Sequence, residues 1–256
     1  MHSLNPSPSG ALPNSPRRRW PWLLAVAVPL LGALAYRLHI AALDARLARG
    51  WPDEVAADAA LVRFAVSTAR PLYAAHCASC HGAGLTGRRA FGVPSLAHTA
   101  WLYGDGGIGD IETTILYGIR SGHPKARNVT DMPAEGRTHQ LDGAEVGDTV
   151  DYVLSLSQQP HDAAAAERGR RLFYDKGNCF DCHANDAGGN TDYGTPSLLG
   201  PTWIYGGDRQ TLYQSVYSGR HGLCPAWINR LTAAQVRALA VYLYVASHPQ
   251  IKLARR

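Results

Sequence analysis

The sequence predicts an all-α protein: two tandem copies of one small helical domain behind an N-terminal transmembrane helix. Three observations predict it. An uncharged apolar run stands near the N-terminus, a set of short motifs recurs at an offset of 102 residues, and each copy closes on an amphipathic segment with helical spacing. The 256 residues are 46% hydrophobic and only 18% charged, enough for two small cores but far too polar for a multi-span membrane protein. The net charge of +5 is terminal: Arg17, Arg18, Arg19, Lys252, Arg255 and Arg256 supply six cations, and the rest holds 19 basic against 20 acidic residues. A nucleic-acid binder carries its excess charge on the folded domain, so no nucleic-acid partner is expected.

Residues 1–19 are rich in Pro, Ser and Asn and are expected to form a disordered cytoplasmic tail. From 20 to 36 there is no charge; seventeen residues at about 1.5 Å each give roughly 25 Å, just short of a bilayer core. Apolar residues resume at Leu38, Ile40 and Leu43, which extends the transmembrane anchor to 20–43. Trp20, Trp22 and Tyr36 resemble interfacial anchors, and the preceding arginines keep the N-terminus in the cytoplasm. A signal peptide cleaved at Ala33-Leu34-Ala35 is the competing reading, and a buried soluble helix a third. The first two place the chain beyond residue 40 outside the cytoplasm, which in a bacterium is the periplasmic side of the inner membrane.

A linker over 44–57 leads to the first domain, 58–158, with a helix over 61–73 interrupted or ended near Pro71. Within it, Asp142 and Glu145 form a capping box ahead of Val146, Val150, Val153 and Leu154. The second domain, 163–248, begins with a helix over 163–176. Thr232 and Gln235 repeat the box ahead of Val236, Leu239, Ala240 and Leu243. Only 158–162 separates the copies, so the two domains should touch.

The chemistry lies in two motifs. Cys77-Ala78-Ser79-Cys80-His81 and Cys179-Phe180-Asp181-Cys182-His183 both match the c-type haem attachment signature. Residues three apart share a helix face, so both thiols reach the two vinyl groups of one porphyrin, and the adjacent His lies beneath the iron. A zinc ribbon needs its pairs about 15–20 residues apart, and a thioredoxin-type pair needs a βαβ setting; neither condition holds. The setting is duplicated: Pro94-Ser95-Leu96 matches Pro196-Ser197-Leu198, and Trp101-Leu102-Tyr103-Gly104 matches Trp203-Ile204-Tyr205-Gly206. Tyr117 and Arg120 match Tyr217 and Arg220, and Met132-Pro133-Ala134 matches Cys224-Pro225-Ala226. Two copies of one haem domain, expected to be class I cytochrome c domains with two covalently bound haem c groups, are the reading.

The sixth iron ligand of the first haem is expected to be Met132, the only methionine besides Met1, in a polar loop where a core filler is out of place; His123 and His139 read as surface residues. Cys224 holds the matching position for the second haem. A thiolate there would favour ferric iron, and a fall of about 0.3 V disfavours reduction by roughly five powers of ten. His221, a free thiol or an open iron are the alternatives.

Taken together the residues resemble the diheme subunit III (CcoP/FixP) of cbb-type cytochrome c oxidases. Gly118-Ile119-Arg120-Ser121-Gly122-His123-Pro124, Asp151-Tyr152-Val153-Leu154-Ser155-Leu156-Ser157 and Pro225-Ala226-Trp227 carry the likeness, together with the Trp-x-Tyr-Gly and Met-Pro-Ala stretches already named, across roughly 58–247. The resemblance implies that His81, His183 and Met132 are axial ligands and that electrons pass through the haems towards an oxygen-reducing subunit. It also implies other respiratory-complex subunits and a redox protein as partners. This chain departs from the family in having Cys224 where the second haem normally has Met, and in lacking the Asn-, Pro- and Trp-rich segment after the span. The function expected is therefore a membrane-anchored, non-catalytic electron-transfer subunit. A thiosulfate-type sulfur dehydrogenase using a Cys-ligated haem, and a free periplasmic carrier, are the alternatives.

Overall fold

The structure, a computed structural model, describes residues 20–127 and 130–250. The tail 1–19 and the cations at 252, 255 and 256 lie outside the described residues. Among those described there is no β-strand, only isolated bridges between loops. The chain divides into two compact units, 1–44 and 45–256.

Helix α1, Trp20–Arg49, occupies most of the first unit. Between Leu23 and Arg49 its most apolar window has a mean hydropathy of 1.8 and no buried residue, whereas Leu47 near the helix end is buried; the helix is long and apolar enough to cross a membrane. Leu23, Leu24, Val28, Leu30 and Leu31 all stand exposed, as side chains facing lipid would. The expected linker 44–57 is helical instead. α1 continues to Arg49, and α2 (Pro52–Ala57) follows, with Pro52 at its first position where no N–H is needed.

The second unit holds α3 (Ala59–His76), α4 (Ala78–His81), α5 (Ile108–Tyr117), α6 (Gly143–Leu156), α7 (Ala163–Tyr174), α8 (Phe180–His183), α9 (Arg209–Ser218) and α10 (Ala233–Ser247). α3 runs unbroken through Pro71, contrary to expectation. Pro71 and Ser67, whose carbonyl it leaves free, both lie on the exposed face, where water can satisfy the orphan acceptor. Asp58 caps α3 by accepting from the N–H groups of Ala60 (2.9 Å) and Leu61 (3.0 Å). Both expected capping boxes form: Glu145 N–H donates to Asp142 at 2.9 Å and Asp142 N–H to Glu145 at 2.8 Å, with Thr232 and Gln235 bonded likewise.

Helix pairing crosses between the stretches 58–158 and 163–248. α10, from the second repeat, packs on α3 and α5 of the first; α6, from the first repeat, packs on α7 and α9 of the second. One half of the body is thus the contiguous stretch 130–219, and the other joins 45–127 to 220–250. Two physical causes favour this crossing. The connection between Leu156 and Ala163 is short, and short loops make helices antiparallel neighbours. Charge then selects the partners. α6 carries Glu145, Asp148 and Asp151, while α9 carries Arg209; α10 carries Arg237, while α5 carries Asp110 and Glu112. As found, Asp151 pairs with Arg209, and Glu112 with Arg237 at 2.5 Å. Uncrossed pairing would set acids against acids and arginine against arginine.

The contiguous half is built on Leu141, Val146, Val150, Val153, Leu154, Leu212 and Val216, against which Met132, Leu172, Leu198 and Trp203 pack. Each fully buried Val or Leu contributes about 1.5–3 kcal/mol. The crossing of α6 and α7 is so close that a Cβ on Gly169 would lie 1.9 Å from the Asp148 carbonyl oxygen. The repeats also meet through equivalent contacts: Tyr205 lies against Gly92, and Tyr103 against Gly194.

Candidate functional site

Each Cys-x-x-Cys-His motif forms one short helical turn. His81 N–H bonds the Cys77 carbonyl at 2.9 Å, and His183 N–H the Cys179 carbonyl at 3.0 Å. None of the five cysteines is paired in a disulfide. Both imidazoles are held the same way: Nδ1 of His81 lies 3.2 Å from the Pro94 carbonyl oxygen, and Nδ1 of His183 lies 3.0 Å from that of Pro196. A carbonyl only accepts, so Nδ1 carries the proton and Nε2 keeps its lone pair for a metal. Burial lowers the pKa of both rings, keeping them neutral and able to ligate.

The thiols are shielded too. Burial, with a smaller push from Cys80, raises the Cys77 pKa to about 11; burial, helped by Glu135, raises that of Cys179 to about 12. Thiols held in the protonated form resist oxidation before they are attached to a porphyrin.

The segment expected to carry the sixth ligand comes to each motif from the other repeat. Met132 lines one cleft together with Cys179, Cys182, His183, Trp203 and Arg220; the cleft encloses about 1510 Å³, part of it open to solvent. Cys224 stands beside Cys77 and Cys80, whose charges, after burial, help raise its own pKa to about 11. The expected pairing is therefore reversed: the structure places Met132 at the second motif and Cys224 at the first. Bridges between Met132 and Arg220 and between Ile119 and Cys224 fix the crossed segments. Gly219 and Gly118 make room for them, because a Cβ would lie 2.4 Å from the Met132 carbonyl oxygen and 2.3 Å from that of Cys224.

The rival ligands are committed elsewhere. His221 is exposed and its Nδ1 lies 3.0 Å from Asp131. His123 stacks on Tyr117 and accepts from the Lys125 N–H. His139 lies on the surface with its φ at +62°.

The donor set fits haem c. Trp101 Nε1, buried with no hydrogen-bond partner among the described residues, supports the fit. An orphan donor of this kind calls for an acceptor, and haem carries carboxylates. Its counterpart Trp203 lines the second cleft.

Comparison with known proteins places each attachment motif within a cytochrome family. A family profile described as cytochrome c matches 66–157, and one described as cytochrome c oxidase, cbb3-type, subunit III matches 164–243. The cbb3-type cytochrome c oxidase subunit FixP of a Bradyrhizobium species is 38% identical over 204 residues, covering 78% of this chain and 67% of the relative. The chain belongs to the CcoP/FixP family. CcoP of Cereibacter sphaeroides is 38% identical over 190 residues, covering 74% of this chain and 64% of the relative. CcoP of Azospirillum brasilense is 41% identical over 190 residues, with 72% and 63% covered. The chain thus spans somewhat less than two thirds of these last two relatives. The chain is mostly helical, with two cytochrome c domains and, among the described residues, one N-terminal candidate transmembrane helix.

Sequence reasoning missed Trp101 and Glu135. Trp101 stands in the repeated Trp-x-Tyr-Gly stretch, which marks the repeat and the family likeness without assigning its indole N–H a role. Glu135 follows Met-Pro-Ala where the other repeat has Trp227, and that departure between the repeats was the available signal.

Proposed function

We propose that this chain is a membrane-anchored diheme cytochrome c that relays electrons in a respiratory chain as a non-catalytic subunit of a cbb3-type cytochrome c oxidase complex. The haem irons, when bound, exchange single electrons between ferrous and ferric states. Cys77 and Cys80 would attach one haem, with His81 and Cys224 as its axial ligands. Cys179 and Cys182 would attach the other, with His183 and Met132. The Pro94 and Pro196 carbonyls orient the two histidines, and Gly118 and Gly219 let the crossed segments approach. Residues 20–43 would anchor the chain in the bacterial inner membrane, with domains 58–158 and 163–248 in the periplasm. The arginines at 17–19 support that orientation. Other subunits of the complex and a redox protein would be its partners.

The observation that carries the reading is the double one: two attachment turns with identically held histidines, each faced by a sulfur residue from the other repeat. Mass spectrometry of the purified membrane fraction should give the chain plus two haems. A redox titration should resolve two well-separated potentials, and low-temperature EPR of the ferric protein should show one Cys/His and one His/Met centre. The bare-chain mass, or EPR with only His/Met signals, would overturn the assignment. Cys224 also favours a second reading, a sulfur-compound dehydrogenase; reduction of the haems by thiosulfate would select it over a pure relay.

A further inference from the structure

The two attachment loops occupy equivalent places but carry opposite charge. Between positions 73 and 101 the chain has Arg88 and Arg89 and no acid; the equivalent stretch, 175–203, has Asp175, Asp181, Asp186 and Asp192 against Lys176 alone. All four aspartates are exposed, and Lys176 is already held by Glu145 at 2.6 Å. At the first site Arg88 bonds the carbonyl of Ser79, between the two cysteines, and lies over the exposed ring of Phe91.

A second observation lies beside Cys182. An open depression there is lined by Pro133, Glu135, Lys176, Asn178, Asp181 and Cys182. Glu135 is only 9% exposed and faces both this depression and the cleft behind it. Its carboxylate has no hydrogen-bond partner among the described residues. A carboxylate that meets water only through such an opening is poorly solvated, and a cation arriving through the depression would pair with it.

Resting on the reading that Cys179 and Cys182 hold a haem, we propose that this face docks a redox protein through a lysine-rich patch. One lysine of that partner reaches Glu135 and Asp181 beside Cys182, and the outer aspartates steer its approach. Arg88 and Arg89 turn the same partner away from the first site. Complementary charge of this kind sets the encounter rate and its salt dependence.

The test uses the full-length, haem-loaded protein in detergent and, as probe, a lysine-rich mono-haem cytochrome c, native or with its lysines succinylated. Titration calorimetry at low salt should show the native probe binding and the succinylated probe failing to bind. The double substitution Asp181→Asn with Asp186→Asn should weaken binding about tenfold and flatten its dependence on salt. Glu135→Gln should weaken binding in the same direction, and Arg89→Gln should not weaken it. Equal binding of the two probes, or unchanged affinity in the aspartate variant, would overturn the proposal. Should substitution at Asp181 disturb haem attachment, Asp186→Asn with Asp192→Asn reads the same face farther from Cys182. Haem content by mass reports separately on the underlying reading, so a loaded protein that ignores the basic probe defeats the docking face alone.

Discussion

The two halves of the haem-binding body can be laid side by side. Their histidines are clamped by proline carbonyls at 3.2 and 3.0 Å, and their sixth-position segments pass glycines whose Cβ would lie 2.3 and 2.4 Å from a backbone oxygen. What differs is the sulfur facing the histidine, a thiol from Cys224 in one half and a thioether from Met132 in the other. Because α6 and α10 are exchanged, the unusual residue lies in the second repeat of the sequence but in the half that holds the first attachment motif. A repeat in sequence and a packed half of the body are here two different objects, so a substitution in one repeat lies beside the attachment motif of the other.

The largest expected effect breaks the contrast outright. Cys224→Met should raise the potential of the haem on Cys77 and Cys80 by about 0.3 V, some five powers of ten in its reduction equilibrium, and bring the two centres close together. A redox titration of the variant, repeated in a background lacking Cys179 and Cys182, assigns the shift. Movement of the haem on Cys179 and Cys182 instead would mean that the ligands are not crossed. Met132→Cys should do the converse, lowering only the potential of the haem on Cys179 and Cys182.

Next in size is the support beneath each ligand. Gly219 and Gly118 have φ of +69° and +73°, in the left-handed region, and each touches the backbone of the segment it seats. Alanine at either should cost about 2 kcal/mol of stability through strain and displacement. The spectroscopic outcome should be local. Gly219→Ala should weaken the Met-to-iron charge-transfer band, whereas Gly118→Ala should leave that band intact and alter the EPR signature of the Cys-ligated centre. Loss of the band in both variants would show that the halves are not independent.

Much of this was legible in the sequence, for physical reasons that also mark the limit. The attachment turns and the two capping boxes depend on residues within four positions of one another, and the apolar span on one unbroken stretch, so local sequence reports them. Partner choice between helices depends on contacts a hundred residues apart, and a repeat makes the alternatives look alike. Sequence proximity pairs Met132 with the first motif, whereas the fold brings it to the cleft of the second. The information was present in the charges, with α6 acidic against α9's Arg209 and α10's Arg237 against α5's acids. The persistence of α3 through Pro71 was illegible for a related reason, since it depends on which face of the helix meets solvent.

The smallest effect sharpens the account of how the halves were chosen. Asp151 is nearly buried on α6. The Arg209 guanidinium, hydrogen-bonded to it, together with the Asp162 N–H holds its carboxyl below the usual carboxylate range despite burial. A carboxylate with a depressed folded pKa contributes stability above its unfolded value, about 4, and loses it as pH falls through the folded one. Arg209→Gln should therefore cost about 1 kcal/mol at pH 7, discounted because Arg209 is half exposed. The difference in thermal unfolding between the two proteins should begin to narrow as pH falls below about 4 and should close only once pH has passed below the depressed folded pKa, where Asp151 takes up a proton and the pair no longer exists. A gap that persisted into acid would assign the loss to packing of the arginine stem, and the charge-based account of α6 choosing α9 would fail.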